Sequence, residues 1–384
     1  MGSIQETRKS EEPKHRWNPF KSKVQQPVLP DQSRATSVST PINAVYYPNW
    51  RVYRQQPPSS MNLKYITHIF YAFAWVRSNG DLFFSDEYAD NEIDLDGTKG
   101  CLRDLKSIKQ QYPNMRTILS VGGGGEGSKP FPSVASSSIS RSMFAQSARN
   151  MVDAYGLDGI DIDWEHPSDP RQGHHYVQLL AAVRKSLPTP QYLLTSALPA
   201  GEWVLKNIDL GKAAAHLDLV NLMTYDFSGP WIDACGHHAQ LYSPKNPHND
   251  AARVSCDSAV TYVTLSGVPS RKILLGVPTY GRSFLGASKL GDRFNGGGGE
   301  EGTFEYKDLP RSGTDVQLDE GVGAVYSIGG DGGFVTYDDP RTVEMKAEFA
   351  KQQGLGGLFY WTGTGDVRDD RSLVQTGYRA LKSS

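Results

Sequence analysis

Short apolar runs alternate with stretches of helical periodicity along most of this sequence. The eight runs lie at residues 44–47, 66–74, 117–121, 159–164, 192–197, 219–223, 273–277 and 357–361. Helical spacing of apolar residues marks the intervals 99–111, 138–155, 174–186, 255–265 and 342–353. Strands that alternate with helices are typical of a parallel sheet buried on both faces, and eight of them predict an α/β fold, a closed (β/α)8 TIM barrel. A doubly wound open sheet is the alternative, which the absence of a Gly-x-Gly-x-x-Gly fingerprint after the first run weakens.

The pattern breaks at the start of the chain and in one internal segment. Residues 1–40 mix charged residues, Pro, Ser and Gln without periodicity, which predicts a flexible charged leader. Residues 285–339 contain short β-type runs and scattered aromatics but no helix–strand pair of the barrel type. The length and the scattered aromatics of this segment predict a small subdomain of short strands and loops, inserted between strands seven and eight. The barrel itself would then comprise residues 41–284 and 340–384.

Composition and charge narrow the class of protein without identifying it. A chain of 384 residues with 38% hydrophobic and 21% charged residues is typical of a soluble globular protein. Its net charge of −2 gives no electrostatic reason to expect a nucleic acid or an anionic membrane as partner. No apolar stretch has the length of a membrane span. We expect a monomer.

Cysteine usage and the N-terminus bear on the cellular location. The three cysteines, Cys101, Cys235 and Cys256, are odd in number and widely spaced, which favours free thiols, although Cys235 and Cys256 could pair. The N-terminus lacks the apolar core of a secretory signal, and the chain has no Asn-X-Ser/Thr sequon. We therefore expect a cytoplasmic, intracellular protein. Secretion by an unrecognised route, or a trimmed leader, stays open.

The fourth run concentrates acidic residues on one face of a predicted strand. Because side chains alternate along a strand, Asp161, Asp163 and Glu165 share one face. The opposite face carries Ile160, Ile162 and Trp164. Three ionised carboxylates so close together would repel each other, so the row implies retained or shared protons, as in acids that donate near neutral pH. A solvated acidic edge strand is the alternative, which the interleaved apolar residues disfavour.

Aromatic and charged residues also follow the other predicted strands, at the carboxyl ends where (β/α)8 barrels carry their chemistry. They are Tyr46, Phe73, Trp203, Met223, Tyr225, Asp226, Tyr280, Arg282 and Trp361, with Gly123 and Gly124 in a glycine run after the third strand. Flat rings and hydrogen-bonding groups at one mouth suit a sugar. The glycine run lacks the Lys-Ser/Thr of a phosphate-binding loop. The pairs His174-His175 and His237-His238 are expected at the surface, and we predict neither a metal nor a cofactor.

These motifs resemble one known family in type, spacing and order. Asp158-x-x-Asp161-x-Asp163-x-Glu165 resembles the D-x-x-D-x-D-x-E signature of the family-18 glycoside hydrolases, the chitinases. Further strand motifs of that family are similar to Ser120-x-Gly122-Gly123, Met223-x-Tyr225-Asp226, Gly276-Val277-Pro278-x-Tyr280-Gly281-Arg282 and Gly356-Gly357-Leu358-Phe359-Tyr360-Trp361. The resemblance runs from about residue 42 to 381 and is closest to fungal or bacterial-type chitinases. Residues 285–339 are placed like the α+β insertion of many members.

The resemblance implies a role for each residue. Glu165 would be the general acid and then the base, Asp163 would orient the acetamide of the substrate, and Asp161 would share a proton with Asp163. Tyr225 would donate to the acetamide carbonyl, and Trp361 would form the floor of the sugar pocket. The acetamide oxygen of the substrate would replace a carboxylate nucleophile, so the configuration is retained. The other sugar contacts would come from Tyr46, Phe73, Gly123, Gly124, Met223, Trp203, Asp226, Tyr280 and Arg282.

Three functions fit this resemblance, and three positions depart from it. A chitinase acting on β-1,4-linked N-acetylglucosamine in chitin or chitooligosaccharides is favoured by the many aromatics and the insertion. An endo-N-acetylglucosaminidase acting on N-glycan cores is the alternative, and a chitin-binding lectin is disfavoured because Glu165, Asp163 and Tyr225 are all present. Gly124 stands where Trp is frequent, which implies a missing stacking wall. His166 stands where Tyr is common, and Thr362-Gly363-Thr364-Gly365 replaces an acidic continuation.

Overall fold

Eight parallel strands close into a barrel in the computed structural model, which describes residues 41–95, 97–247 and 251–383. The barrel strands are, in chain order, Ile42–Pro48, His68–Val76, Arg116–Gly122, Gly159–Asp163, Leu193–Pro199, Leu219–Met223, Ile273–Pro278 and Gly357–Trp361. The first strand pairs with the second (Tyr46 opposite Phe70) and with the eighth (Ala44 opposite Phe359), which closes the ring. The predicted (β/α)8 TIM barrel is therefore confirmed. The predicted leader, residues 1–40, lies outside the described residues.

Helices fill the intervals between the strands. Their bounds are Cys101–Gln111, Phe131–Ser136, Ser138–Tyr155, Pro170–Ser186, Glu202–Leu205, Leu210–His216, Cys256–Leu265, Pro340–Gln352 and Leu373–Lys382. The third long helix begins at Pro170, four residues before its predicted start, because Asp169 caps it by accepting the N–H of Gln172 at 2.8 Å. The sequence pattern missed Leu210–His216 and Leu373–Lys382.

Side chains alternate between the two faces of each barrel strand, so the strands separate an apolar layer inside the barrel from one outside it. On the first strand Ala44 and Tyr46 belong to the cluster inside the barrel, whereas Val45 and Tyr47 pack in the larger cluster against the helices. The fourth strand follows the same rule. Its apolar residues Ile160, Ile162 and Trp164 all pack in the outer cluster, while Asp161 and Asp163 are buried on the inner side. The predicted division of this strand into an apolar and an acidic face is confirmed.

Residues after the seventh strand form a separate antiparallel sheet. Its strands are Tyr280–Phe284, Thr303–Glu305, Thr314–Asp319, Ala324–Gly329 and Gly333–Tyr337. It begins before the predicted start at residue 285, because Thr279 alone separates it from the seventh barrel strand. The α+β description was wrong for the helical part: residues 285–339, all of which are described, contain only the short 3-10 turns Tyr306–Asp308 and Gly330–Gly332 besides strands.

Several shorter elements also occur among the described residues. A strand at Leu82–Phe84 pairs antiparallel with the second barrel strand, and Asp94–Leu95 pairs with Thr98–Lys99. A 3-10 helix at Asn49–Arg54 follows the first barrel strand. The three cysteines are free and buried. No helix among the described residues has the length and apolar character needed to cross a membrane.

Candidate active site

The carboxyl ends of the barrel strands surround one cleft of about 990 Å³. Most of the predicted residues line it: Tyr46, Phe73, Gly124, Asp163, Glu165, Trp203, Met223, Tyr225, Asp226, Tyr280 and Trp361. Asp161, Gly123 and Arg282 lie behind the wall and contact residues that form it. The size is within the range of small-ligand sites in proteins. The parallel strands thus bring together residues from eight separate stretches of sequence.

Asp161 is fully buried beneath the cleft and is held by hydroxyl groups from three other strands. Tyr46 and Ser120 each donate to Oδ2 at 2.8 Å, and Thr195 donates to Oδ1 at 2.6 Å. Burial raises the pKa of Asp161, and these three hydrogen bonds oppose the rise. The described contacts of Asp161 include no hydrogen bond to Asp163, so in this conformation the two carboxyls interact through charge alone.

Asp163 and Glu165 carry the protons of the site. Burial, together with the negative charges of Glu165 and Asp161, raises the pKa of Asp163 well above its usual range. Asp163 Oδ1 is buried and has no hydrogen-bond partner within the described residues. Burial and the negative charge of Asp226 raise the pKa of Glu165 to about 7. The strand therefore presents one acid that can donate near neutral pH and, beneath it, an unused acceptor.

The glycine run after the third strand supports Glu165 from one side. The backbone N–H of Glu165 donates to Ser128 Oγ at 2.7 Å, and this hydroxyl donates to the carbonyl of Gly123 at 2.8 Å. Gly123 has a φ of 84°, and a Cβ there would lie 2.6 Å from the ring of Phe73, so glycine is required. At Gly124 a Cβ would lie 3.7 Å from Glu165 Oε1, an ordinary contact. A Cβ at Gly124 would therefore contact the Glu165 carboxyl without a clash.

A group of aromatic rings surrounds Trp361 at the end of the eighth strand. Its ring centroid lies 5.5 Å from that of Tyr46, 6.0 Å from that of Phe73 and 6.5 Å from that of Trp50. Tyr225 packs edge-to-face against Tyr280, with centroids 6.3 Å apart. Burial and the charge of Asp163 raise the pKa of Tyr225 well above its usual range, so its hydroxyl stays protonated and can donate. These rings offer a flat apolar surface next to hydrogen-bonding groups.

Asp226 is held charged by neighbours from two other segments. Its Oδ1 accepts from the Tyr280 hydroxyl and from Arg282 Nε, each at 2.6 Å, and His238 Nδ1 lies 3.5 Å away. Burial alone would raise the pKa of Asp226, but His238 and Arg282 hold it below its usual range. Arg282 also stacks on Trp231, with its guanidinium carbon 4.6 Å from the ring centroid. Arg282 thus orients Asp226 from behind the wall of the cleft.

The expectation that His237-His238 lies at the surface was wrong. His237 is 6% exposed and His238 is fully buried. The ring of His237 packs near Tyr326 of the inserted sheet, with centroids 5.7 Å apart, and His238 packs near Tyr280 at 5.2 Å. The inserted sheet covers this loop, which the local sequence does not reveal. His174 is exposed and His175 half-buried, and the described residues include no group of three His, Cys, Asp or Glu side chains placed to hold a metal.

Five aromatic residues line the cleft but were not among the predicted site residues: Trp50, Trp75, His166, Phe227 and Trp231. Trp50 follows the first strand, His166 follows Glu165 directly, and Trp231 belongs to the loop after the sixth strand. Trp50 and Trp231 are 45% and 57% exposed, which is unusual for large rings unless they bind a ligand. The position of Trp50 next to a strand end was a usable signal. Trp231 lies too far along its loop for the strand pattern to place it.

A (β/α)8 barrel whose cleft sets a protonated carboxylic acid among exposed aromatic rings is the architecture of a glycoside hydrolase. The family model described as "Glycosyl hydrolases family 18" matches residues 42–366. The chain therefore belongs to family 18 of the glycosyl hydrolases, as its strand motifs indicate.

Individual relatives agree with this assignment. Chitinase 1 of Aphanocladium album is 37% identical over 364 residues, which cover 89% of this chain and 85% of that protein. The group IV chitinase of Ostrinia furnacalis, solved with allosamidin, has a TM-score of 0.80 and 27% identity and covers 89% of this chain and 98% of its own. Human YKL-39, a pseudo-chitinase with retained chitooligosaccharide binding, has a TM-score of 0.78 and 26% identity, covering 90% and 100%.

Proposed function

We propose that this protein is a chitinase that hydrolyses β-1,4-linked N-acetylglucosamine with retention of configuration, through assistance by the substrate's own acetamide. The observation that carries the proposal is Asp163 Oδ1, a buried acceptor without a partner among the described residues, two positions before a carboxyl whose pKa is raised to about 7. An acetamide N–H is a donor that fits such an acceptor. A glucose polymer would leave it unpaired.

The reaction begins with proton transfer from Glu165 to the glycosidic oxygen. The acetamide carbonyl oxygen of the substrate attacks the anomeric carbon from the opposite face, the glycosidic bond breaks, and an oxazolinium ion forms. Asp163 passes its own proton to Asp161, accepts from the acetamide N–H and stabilises the positive charge of the oxazolinium ion. Glu165, now a carboxylate, removes a proton from water, whose oxygen attacks the same anomeric carbon while the bond from that carbon to the acetamide oxygen breaks. Two inversions at one carbon give net retention.

The surrounding residues prepare the substrate for this step. Trp361 provides the ring on which the reacting sugar stacks, with Tyr46 and Phe73 packed beside it. The Tyr225 hydroxyl donates to the acetamide carbonyl and turns it towards the anomeric carbon. Asp161, held by its three hydroxyl donors, keeps a negative charge near Asp163 and so favours the proton that Asp163 carries before the reaction.

Two other functions make different demands on the cleft. An endo-N-acetylglucosaminidase needs the same acid but must admit a branched glycan. A lectin needs only the binding surface, and the similarity of this fold to YKL-39 keeps that alternative in view. The acid Glu165 and the acceptor Asp163 are both in place here, which favours hydrolysis. The number of aromatic rings that line the cleft, among them Trp50, Trp203 and Trp231, favours a linear chain of sugars over a branched one.

The proposal is tested by Glu165→Gln assayed with labelled chitotetraose. We expect kcat to fall on the order of a hundredfold or more, because the amide cannot donate a proton as an acid does, while oligosaccharide binding persists. Glu202→Gln, at an exposed acid that begins the helix Glu202–Leu205, is the matched control and should keep normal activity. Full activity of Glu165→Gln would disprove the assignment, and binding without hydrolysis by the wild type would favour the lectin.

A second assay separates the two hydrolases and tests the mechanism. Labelled chitotetraose and a high-mannose glycopeptide are offered to the same enzyme, and we expect cleavage of the first and not of the second. A thiazoline analogue of the oxazolinium ion should inhibit by tight binding, because Asp163 and Tyr225 are arranged for the cyclised acetamide. Cleavage of the glycopeptide alone would favour the endo-N-acetylglucosaminidase, and no inhibition would contradict substrate assistance.

A further inference from the structure

His166 and Trp203 form a second ring group in the cleft, apart from the rings around Trp361. Their ring centroids are 5.7 Å apart and their planes are nearly perpendicular, at 83°. Both line the cleft, and Trp203 is 67% exposed. The indole of Trp203 lies over Gly201, where a Cβ would be 2.3 Å from Nε1, so this glycine permits the position of the ring. Neither His166 nor Trp203 has a part in the acid–base steps described above.

The hydrogen-bonding state of His166 can be derived from its surroundings. Burial lowers its pKa, so the ring is neutral near pH 7 and carries a single N–H. Nδ1 is buried and has no partner among the described residues. A buried N–H without a partner is less well tolerated than an unused lone pair, so the proton belongs on Nε2. His166 therefore offers the cleft one N–H donor for which the described residues provide no acceptor.

The position of His166 in the chain indicates which sugar of the substrate its N–H can bind. Glu165 donates its proton to the oxygen between two sugars, and His166 is joined to it by one peptide bond. The sugar that reacts is held by Asp163, Tyr225 and the Trp361 rings on one side of that oxygen. His166 and Trp203 lie in the segments after the fourth and fifth strands and take no part in holding the reacting sugar. They are therefore available to bind the sugar on the other side of the oxygen, which departs with that oxygen.

We infer that His166 recognises the acetamide carbonyl of the departing sugar, with Trp203 as its stacking face, so that selectivity for N-acetyl groups applies on both sides of the cleaved bond. This inference rests on the proposed chitinase function. An amide carbonyl is a strong neutral acceptor for an N–H. A glucosamine unit presents an ammonium group there instead, which offers only donors and would face the His166 N–H without forming a bond. Such a mismatch is a source of specificity at binding sites.

Partially N-acetylated chitosan tests the inference, because each cut labels both sides of the bond. The reacting sugar becomes a new reducing end and the departing sugar a new non-reducing end, and mass spectrometry of the labelled products identifies each. For the wild type we expect N-acetylglucosamine at both kinds of new end, in excess of its share in the polymer. His166→Phe should lower the enrichment at non-reducing ends by about fivefold, as expected for one hydrogen bond, and leave the reducing ends unchanged.

Two further variants separate recognition from packing. His166→Gln keeps an N–H donor and should retain part of the enrichment, while Trp203→Ala should weaken binding of all departing sugars without changing their acetylation. The inference is overturned if wild-type non-reducing ends match the polymer composition, or if His166→Phe keeps the full enrichment. Reducing ends that are not selectively acetylated, or the absence of cleavage, would instead contradict the proposed function. The reducing ends of His166→Phe also report whether that variant still folds.

Discussion

Two carboxyl groups in the cleft, Glu165 and Asp226, have pKa values shifted in opposite directions. Asp226 stays ionised because Arg282 and His238 face it, and its charge helps to keep the proton on Glu165. Environments that separate the pKa values of neighbouring acids are how one site holds both a base and an acid at one pH. Asp226 thus affects catalysis through the pKa of Glu165 as well as through any contact with the sugar.

This coupling predicts a specific pH dependence. Glu165 must be protonated to donate, so kcat/KM should decline as the pH rises above about 7. Asp226→Asn removes a negative charge at nearly constant shape, which lowers the pKa of Glu165 and should move this alkaline limb to lower pH. The profile of kcat/KM on a soluble chitooligosaccharide measures the shift, with Glu202→Gln as control. An alkaline limb that stays in place in Asp226→Asn would contradict the coupling.

At the level of elements, the helix Pro340–Gln352 lies between the inserted sheet and the eighth strand. A buried ion pair joins this helix to the end of the inserted sheet. Lys346 and Asp338, 0% and 1% exposed, form this pair directly after the last strand of the insertion. Thr342 adds a hydrogen bond from its hydroxyl to Asp338 Oδ1 at 2.7 Å. The pair fixes how the helix leaves the sheet, and each charge depends on the other because neither reaches water.

Removal of one partner should therefore be costly. Lys346→Ala leaves Asp338 buried without its counter-charge, and we expect the free energy of unfolding to fall by about 3 to 5 kcal/mol. Denaturant unfolding measures this change. Lys351→Ala, in the same helix but in a more exposed pair with Glu348, is the matched control and should have a much smaller effect. Equal effects of the two substitutions would mean that the buried pair contributes no more than a surface one.

At the scale of the whole molecule, ion pairs and hydrogen bonds join the inserted sheet to the barrel. Residues Pro41–Ser384 group into one compact unit. Arg51 of the first barrel loop pairs with Glu305 of the insertion, and the Tyr306 hydroxyl donates to the carbonyl of Arg371 at 2.8 Å. Thr279, between the seventh strand and the sheet, donates to the carbonyl of Thr362 at 2.6 Å.

The intracellular location and the monomeric state stay predictions from the sequence.

These links predict a single cooperative unfolding transition. If the inserted sheet unfolded, the barrel would lose its contacts with Glu305 and Tyr306. We therefore expect the sheet and the barrel to unfold at nearly the same temperature. Calorimetry should show one transition whose calorimetric and van't Hoff enthalpies agree. Circular dichroism and tryptophan fluorescence should report the same midpoint. Two separated transitions would show that the insertion folds as an independent domain.

The acidic strand and the order of the barrel could be derived from the sequence, because both depend on local periodicity. The alternation that assigns Asp161 and Asp163 to one face repeats every two residues, and strand-end residues such as Tyr225 and Trp361 follow directly from where a strand stops. Most of the predicted residues line the cleft for this reason. Gly123 and Arg282 support the wall instead of lining it, a distinction that depends on packing depth.

Tertiary structure alone decided the contacts that join distant segments. The donors to Asp161 come from strands up to 115 residues away, and the burial of His238 requires a sheet that follows it in the chain. The ring contact between His166 and Trp203 and the exposure of Trp231 depend in the same way on loops whose course no periodicity encodes. Local spacing sets which face a side chain occupies, whereas its hydrogen bonds and its pKa depend on neighbours that only the closed barrel brings within reach.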